Sequence, residues 1–160
     1  KGISSPKIAL LNIGEEEIKG HEMIKEASIL LEQSSVNYVG YVEGNDIVEN
    51  KADVIVTDGF TGNIAIKAME GTIELMTSAL KDSIKNSSSD DFAFNGSKFA
   101  LDIFKNTIDP RKHNGALLVG LNGIVVKSHG STDSYGYYHA VLTAVNEVKK
   151  QIIPKLTEIL

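Results

Sequence analysis

Three times along this chain a short apolar run ends in a small polar loop and gives way to a helical pattern. The runs are Lys7–Ile13 (KIALLNI), Ala52–Thr57 (ADVIVT) and Ile124–Val126. The loops carry Asn12, Gly14 and Glu15, then Asp58 and Asn63 (with Lys67 one turn on), and finally KSHGSTD from Lys127 to Asp133. Strands that alternate with helices point to an α/β fold with a parallel or mixed sheet, and a nearly all-apolar strand such as ADVIVT is expected to be covered on both faces. Open α/β sheets bind ligands beyond the carboxyl ends of their strands. The pattern therefore predicts functional loops gathered on one edge.

The intervening segments read as follows. Gly20–Gln33 is a helix with Met23, Ala27, Leu30 and Leu31 on one face, and Asn37–Val42 is a strand. Residues 63–85 form a helix striped by Ile66, Met69, Ile73, Met76, Leu80 and Ile84. The polar run Asn86–Asp91 is a loop tip, and a second amphipathic helix over 92–108 presents Phe99, Ala100, Ile103 and Phe104. Together they predict a protruding antiparallel hairpin. Its stripes suit packing on the sheet, on each other or on a second subunit, or contact with a membrane surface. Ala116–Val119 and Ile124–Val126 flank a tight Gly120–Gly123 connection. The last helix runs from Thr132 towards Leu160 with a stripe of Val141, Val145, Val148, Ile152 and Leu156, and Pro154 kinks it or starts a separate terminal helix. No linker is visible, so residues 1–160 are expected to form a single α/β domain.

Composition removes several chemistries. With no cysteine there is no disulfide, thiolate nucleophile or Cys-ligated zinc. His21, His113, His129 and His139 form no compact ligand spacing, so neither a metal nor a cofactor is expected. A formal net charge of −5 argues against nucleic acid. No apolar run approaches the roughly 20 residues that span a bilayer. Arg111 is the only arginine, so a bidentate guanidinium clamp on an anion has one possible donor.

The third loop holds the densest chemistry. A strand end, a glycine and a helix start suit an anion, because free N–H groups and the helix dipole both favour negative charge; the plainer reading is that Ser131 or Thr132 only caps the helix. His129 is a candidate general acid or base, or a loop histidine bonded locally. Lys127 could hold a phosphate or simply snorkel. Ser128, His129, Ser131 and Asp133 are neighbours in sequence, which does not make them a relay. Glu15–Glu17 could be no more than a solvated first turn.

Four segments in order, LLNIGEEEIKGHEMIKEA at 10–27, YVGYVEGNDI at 38–47, ADVIVTDGFTGNIAIKAMEG at 52–71 and GLNGIVVKSHGSTD at 120–133, carry a resemblance. They are similar to the carboxyl-terminal half of the bacterial acyl-ACP:phosphate acyltransferases, the PlsX family of phospholipid synthesis. The resemblance implies a three-layer α/β sandwich with a mixed sheet, like that of isocitrate and isopropylmalate dehydrogenases. It implies that inorganic phosphate attacks a long-chain acyl thioester on acyl carrier protein, giving an acyl phosphate. It further implies a cytoplasmic homodimer, peripherally bound to membrane. KSHGSTD looks like the Ser-Arg-Gly…Asp segment of phosphate acetyltransferases, with His129 where those enzymes have arginine. On this reading Lys127, Ser128, His129, Gly130 and Ser131 meet phosphate or the oxyanion, and Asp133 orients one of them. Asn12, Gly14, Glu15, Asp58, Asn63 and Lys67 line the facing side. The chain is then the carboxyl-terminal part of a longer enzyme and is expected to be inactive alone. The alternatives are a phosphate acetyl- or butyryltransferase acting on acyl-CoA, and a non-catalytic dimerisation or membrane-docking fragment.

Overall fold

The computed structural model describes residues 2–87 and 91–159; of Ser87, residues 91–95 and Ile159 it describes the backbone alone. The expected loop tip at Asn86–Asp91 therefore lies largely outside the described residues. The chain divides into two compact units, Lys1–Gly71 and Thr72–Leu160, each an assembly in its own right.

The first unit holds β1 (Ile8–Leu11), α1 (Glu22–Glu32), β2 (Tyr38–Val42), a 3-10 helix (Gly44–Val48), β3 (Val54–Val56) and the start of α2 (Gly59–Ser87). The strands form a parallel sheet in the order β2-β1-β3. Central β1 buries Ala9, Leu10 and Leu11. Ala9 and Leu11 pack with Val42, and Ile47, Ala52 and Ile55 close the cluster. Between Ile8↔Tyr38 and Leu10↔Tyr41, β2 carries one residue more than β1. Gly40 sits in this bulge at φ +93°, a conformation that a side chain would resist.

Two expectations fail here. ADVIVT is an edge strand, not one covered on both faces: Val54 and Val56 are 46% and 44% exposed. The apolar stripe of α1 is also largely outside, with Met23 and Leu30 exposed. The helix turns Ser28 inward, where its hydroxyl lies 2.9 Å from the Tyr38 hydroxyl. A half-buried hydroxyl needs a partner, and this pair supplies one.

The second unit holds the rest of α2, then α3 (Asp91–Thr107), a 3-10 turn (Pro110–His113), β4 (Ala116–Leu117), β5 (Val126–Lys127), α4 (Ser134–Lys149) and α5 (Ile152–Ile159). β4 and β5 make a two-stranded antiparallel ribbon, Ala116 opposite Lys127 and Leu117 opposite Val126. The run before KSHGSTD thus belongs to no parallel or mixed sheet, and Leu118 and Val125 beside the ribbon are exposed. A hairpin closes a short loop, which costs less chain entropy than a distant pairing.

Among the helices, packing chose different faces from those expected. In α3 Leu101 is buried while Phe99 and Ile103 are exposed. In α2 Ile66, Met76 and Leu80 are exposed, and Ile73 and Thr77 line a shallow groove with Lys105 of α3. In α4 the buried residues are Gly136 and Ala140, whereas Val141, Val145 and Val148 face outward. Small residues let a neighbouring backbone approach: a Cβ on Gly115 would stand 3.0 Å from the Ala140 Cα. α4 stops at Lys149, Gln151 takes φ +54°, and Pro154 lies in the first turn of α5, where its missing N–H costs nothing. The terminal helix is therefore separate. Among the described residues no helix is long and apolar enough to cross a membrane.

Candidate active site

KSHGSTD leaves β5 and enters α4. Asp133, not Ser131 or Thr132, is the N-cap: its Oδ1 accepts the Gly136 N–H at 2.9 Å. The carboxylate thus occupies part of the helix terminus that the sequence offered to an external anion. Its other oxygen, Oδ2, accepts from Arg111 Nη1 at 2.7 Å. Those two contacts, the Gly136 amide first and the guanidinium second, hold the Asp133 carboxyl below its ordinary range.

Arg111 does more than balance that one charge. Its Nη2 donates to Asp109 Oδ2 at 2.7 Å, and Nε donates to Asp109 Oδ1 at 2.9 Å. The guanidinium stands 5.0 Å above the Tyr135 ring, which in turn meets His139 edge-on at 4.8 Å. Arg111 beside it depresses Asp109 to about 2. The guanidinium is about half exposed, so each ion pair alone would stabilise little. The planar fork gives direction instead: one side chain ties the 3-10 turn to the start of α4.

Asn114 completes the frame. Its Oδ1 accepts the His129 N–H at 3.0 Å. Its Nδ2 lies 2.9 Å from Ser128 Oγ, 3.3 Å from Thr132 Oγ1 and 2.8 Å from the Gly136 carbonyl oxygen. His129 Nδ1 receives the Ser131 N–H at 3.4 Å and stands 2.9 Å from Ser131 Oγ. These two contacts tie the imidazole ring to Ser131. Lys127 is exposed at the end of β5, and Gly130 has open space where a Cβ would stand.

Ser128, His129, Ser131 and Asp133 are therefore one hydrogen-bonded assembly with Arg111 and Asn114. Neither of the last two was assigned to the site from sequence. Arg111 had a signal, as the only arginine; Asn114 had none.

The other candidates lie in the first unit, Lys67 included. Asn12 is buried at the end of β1, donates Nδ2–H to the Lys19 carbonyl at 3.2 Å, and leaves Oδ1 without a partner among the described residues. That oxygen faces Gly20, where a Cβ would stand only 2.2 Å away. Glu15 is exposed and pairs with Lys51 at 3.3 Å, while Lys51 reaches buried Asp46 at 2.7 Å. Gly14 lies against the Lys19 and Glu16 side chains. Asp58 caps α2, its Oδ1 accepting the Phe60 and Thr61 N–H groups at 2.9 and 2.8 Å. Asn63 is exposed, and Lys67 pairs with Glu70 at 2.6 Å.

A parallel sheet flanked by helices in one unit and a hydrogen-bonded segment leading into α4 in the other place the chain in the α/β class. The chain belongs to the fatty acid synthesis protein family, whose match covers residues 1–155. It is 42% identical over 163 residues to the phosphate acyltransferase of Magnetococcus marinus, covering 98% of this chain and 47% of that protein. It is 46% identical over 153 residues to the phosphate acyltransferase of Methylococcus capsulatus (96% and 45% covered). With that of Nitrosococcus oceani it shares 47% over 150 residues (94% and 44% covered). The chain thus spans a little under half the length of these curated relatives.

Proposed function

We propose that this chain is the carboxyl-terminal part of a phosphate acyltransferase that uses acyl carrier protein thioesters. The single observation that carries the reading is the bracing of KSHGSTD by Asn114 and Arg111 at the start of α4. Family membership and the names of the relatives support the same reaction class. A phosphate oxygen attacks the thioester carbonyl carbon; the C–O bond forms, the C–S bond breaks, and the sulfur leaves as thiolate. Phosphate is already anionic at neutral pH, so the protein's task is to hold it and to stabilise charge on the carbonyl oxygen.

The parts divide accordingly. Lys127 supplies charge, Ser128 and Ser131 supply hydroxyls, and His129 supplies its imidazole to phosphate or the oxyanion. Gly130 lets a ligand come close to the backbone. Asp133 holds the segment through Arg111 and the helix cap. In the first unit, Asn12, Gly14, Glu15, Asp58, Asn63 and Lys67 are the proposed substrate contacts. The longer protein would adopt the three-layer dehydrogenase-like architecture.

The test is acyl-phosphate formation by the full-length enzyme. His129→Ala should lower kcat by about 100-fold, the size of a lost acid–base or oxyanion contact. Near-normal turnover by the variant would refute the assignment. In the same assay the 160-residue chain alone should give none, and acyl-ACP should outperform acyl-CoA; the reverse preference would favour an acetyl- or butyryltransferase.

We further assign homodimer and peripheral membrane contact to the hairpin of α2 and α3, where Leu75, Met76, Leu80, Phe99 and Ile103 are exposed. The full-length cytoplasmic protein should sediment with anionic vesicles, and Leu75→Glu with Phe99→Glu should release it. Unchanged sedimentation of that double variant would move the contact elsewhere.

A further inference from the structure

Asn114 stands between the 3-10 turn and β4, outside KSHGSTD, yet its side chain meets four places in or beside that segment. Its oxygen takes the His129 N–H at 3.0 Å. Its amide nitrogen has two hydrogens and faces three oxygens: Ser128 Oγ at 2.9 Å, the Gly136 carbonyl at 2.8 Å and Thr132 Oγ1 at 3.3 Å. The backbone of Asn114 is anchored in turn. Its main-chain carbonyl accepts from Thr143 Oγ1 at 3.3 Å, and its main-chain N–H donates to the Arg111 carbonyl at 3.3 Å. Gly115, at φ +109°, lets the chain pass directly over Ala140.

The direction of the bond to Ser128 has a chemical consequence. Asn114 can only donate through Nδ2, so Ser128 Oγ accepts there. The Ser128 hydroxyl hydrogen must then point away from Asn114. A half-buried serine that could either give or take a hydrogen bond is thereby set as a donor, the polarity an anion requires. The same side chain fixes the backbone at His129 against the first turn of α4. We propose that Asn114 is a positioning residue of the phosphate site, holding Ser128 as a donor and His129 in register for a tetrahedral oxyanion. This rests on the phosphate-site reading given above and adds to it the residue that sets the polarity of the site.

The experiment is a double-mutant cycle in the full-length enzyme, with kcat and the KM for inorganic phosphate and for acyl thioester measured separately. Ser128→Ala should raise the phosphate KM by about tenfold, the cost of one hydrogen bond to a charged group. Asn114→Ala should raise it by about as much, with the thioester KM within about twofold, and should add little in the Ser128→Ala background. Asn114→Asp keeps size and the acceptor for the His129 N–H but reverses the bond to Ser128. It should raise the phosphate KM even if the alanine variant folds poorly, and its effect should shrink in the Ser128→Ala background, where no hydroxyl is left to be reversed. Equal changes in both KM values, no change, or fully additive effects would overturn the role of Asn114. A Ser128→Ala enzyme with wild-type phosphate KM, but a lowered phosphate affinity in Asn114→Ala, would overturn the coupling alone. Wild-type phosphate KM in Ser128→Ala and His129→Ala alike would remove the phosphate-site reading itself, and this proposal with it.

Discussion

Replacing Asp133 by alanine will lower acyl-phosphate formation by the full-length enzyme by about 100-fold in kcat/KM, the range for a lost electrostatic or positioning contact at a reacting centre. Two supports disappear together. The Gly136 N–H loses its cap, and Arg111 loses one of the two carboxylates it bridges. Asp133→Asn separates them. Asparagine caps as well as aspartate, so the start of α4 survives, while the charge facing Arg111 is gone. The asparagine variant should therefore melt close to wild type and lose about tenfold in rate, half the logarithmic effect of alanine. Equal rates for both variants and wild type would show that the segment needs neither support.

Acid should reach the same frame by another route. Asp109 and Asp133 both titrate below their ordinary range in the folded protein. A carboxylate depressed on folding adds stability above its unfolded pKa, about 3.9, and loses it as pH falls through the folded value. For Asp109 that value is about 2. The melting temperature of wild type should fall between about pH 4 and pH 2, and less steeply in Asp133→Ala, which lacks one of the titrating groups. Parallel curves for the two proteins would exclude Asp133 from that loss.

The second large effect is structural. Gly115→Ala should destabilise the protein by about 3 kcal/mol and lower its Tm by roughly 10 °C, because strain and overpacking add. The glycine has φ +109°, and the new Cβ would meet backbone at the Ala140 Cα as well as the Thr143 side chain at 3.1 Å. Backbone cannot rotate out of the way as a side-chain tip can. Relief would push the turn from α4 and carry Asn114 with it, so the surviving folded enzyme should also bind phosphate less well. A Tm within about 1 °C of wild type would show that the turn relaxes freely, which backbone contact at this φ does not allow.

Comparison of particular elements shows what the residues revealed before the fold was known. KIALLNI was readable as a buried strand because its central run Ala9–Leu11 lies buried in the middle strand of the sheet, although Ile13 beyond it is exposed. ADVIVT is also rich in apolar residues but sits at the edge, and no local signal separates the two. The helices α3 and α4 were correct in position and wrong in face. Each carries apolar residues on more than one side, and backbone approach at Gly136 and Ala140 decided which side of α4 is covered. In the candidate site, KSHGSTD stood out by residue type and by resemblance to a family. Its support came from the preceding turn, Asp109 to Asn114, where the sequence singled out only the lone arginine.

The sequence by itself determined the alternation of strands and helices, the absence of thiol chemistry, the family, and the segment from Lys127 to Asp133 as the place to look. Those properties live in single residues and short spacings, which local physics reads directly. Only the tertiary structure decided that Asp133 caps α4, that Arg111 spans two carboxylates, and that Asn114 sets the polarity of Ser128. Each of these joins groups up to 22 residues apart through the direction of a hydrogen bond, and direction exists only once the chain has folded.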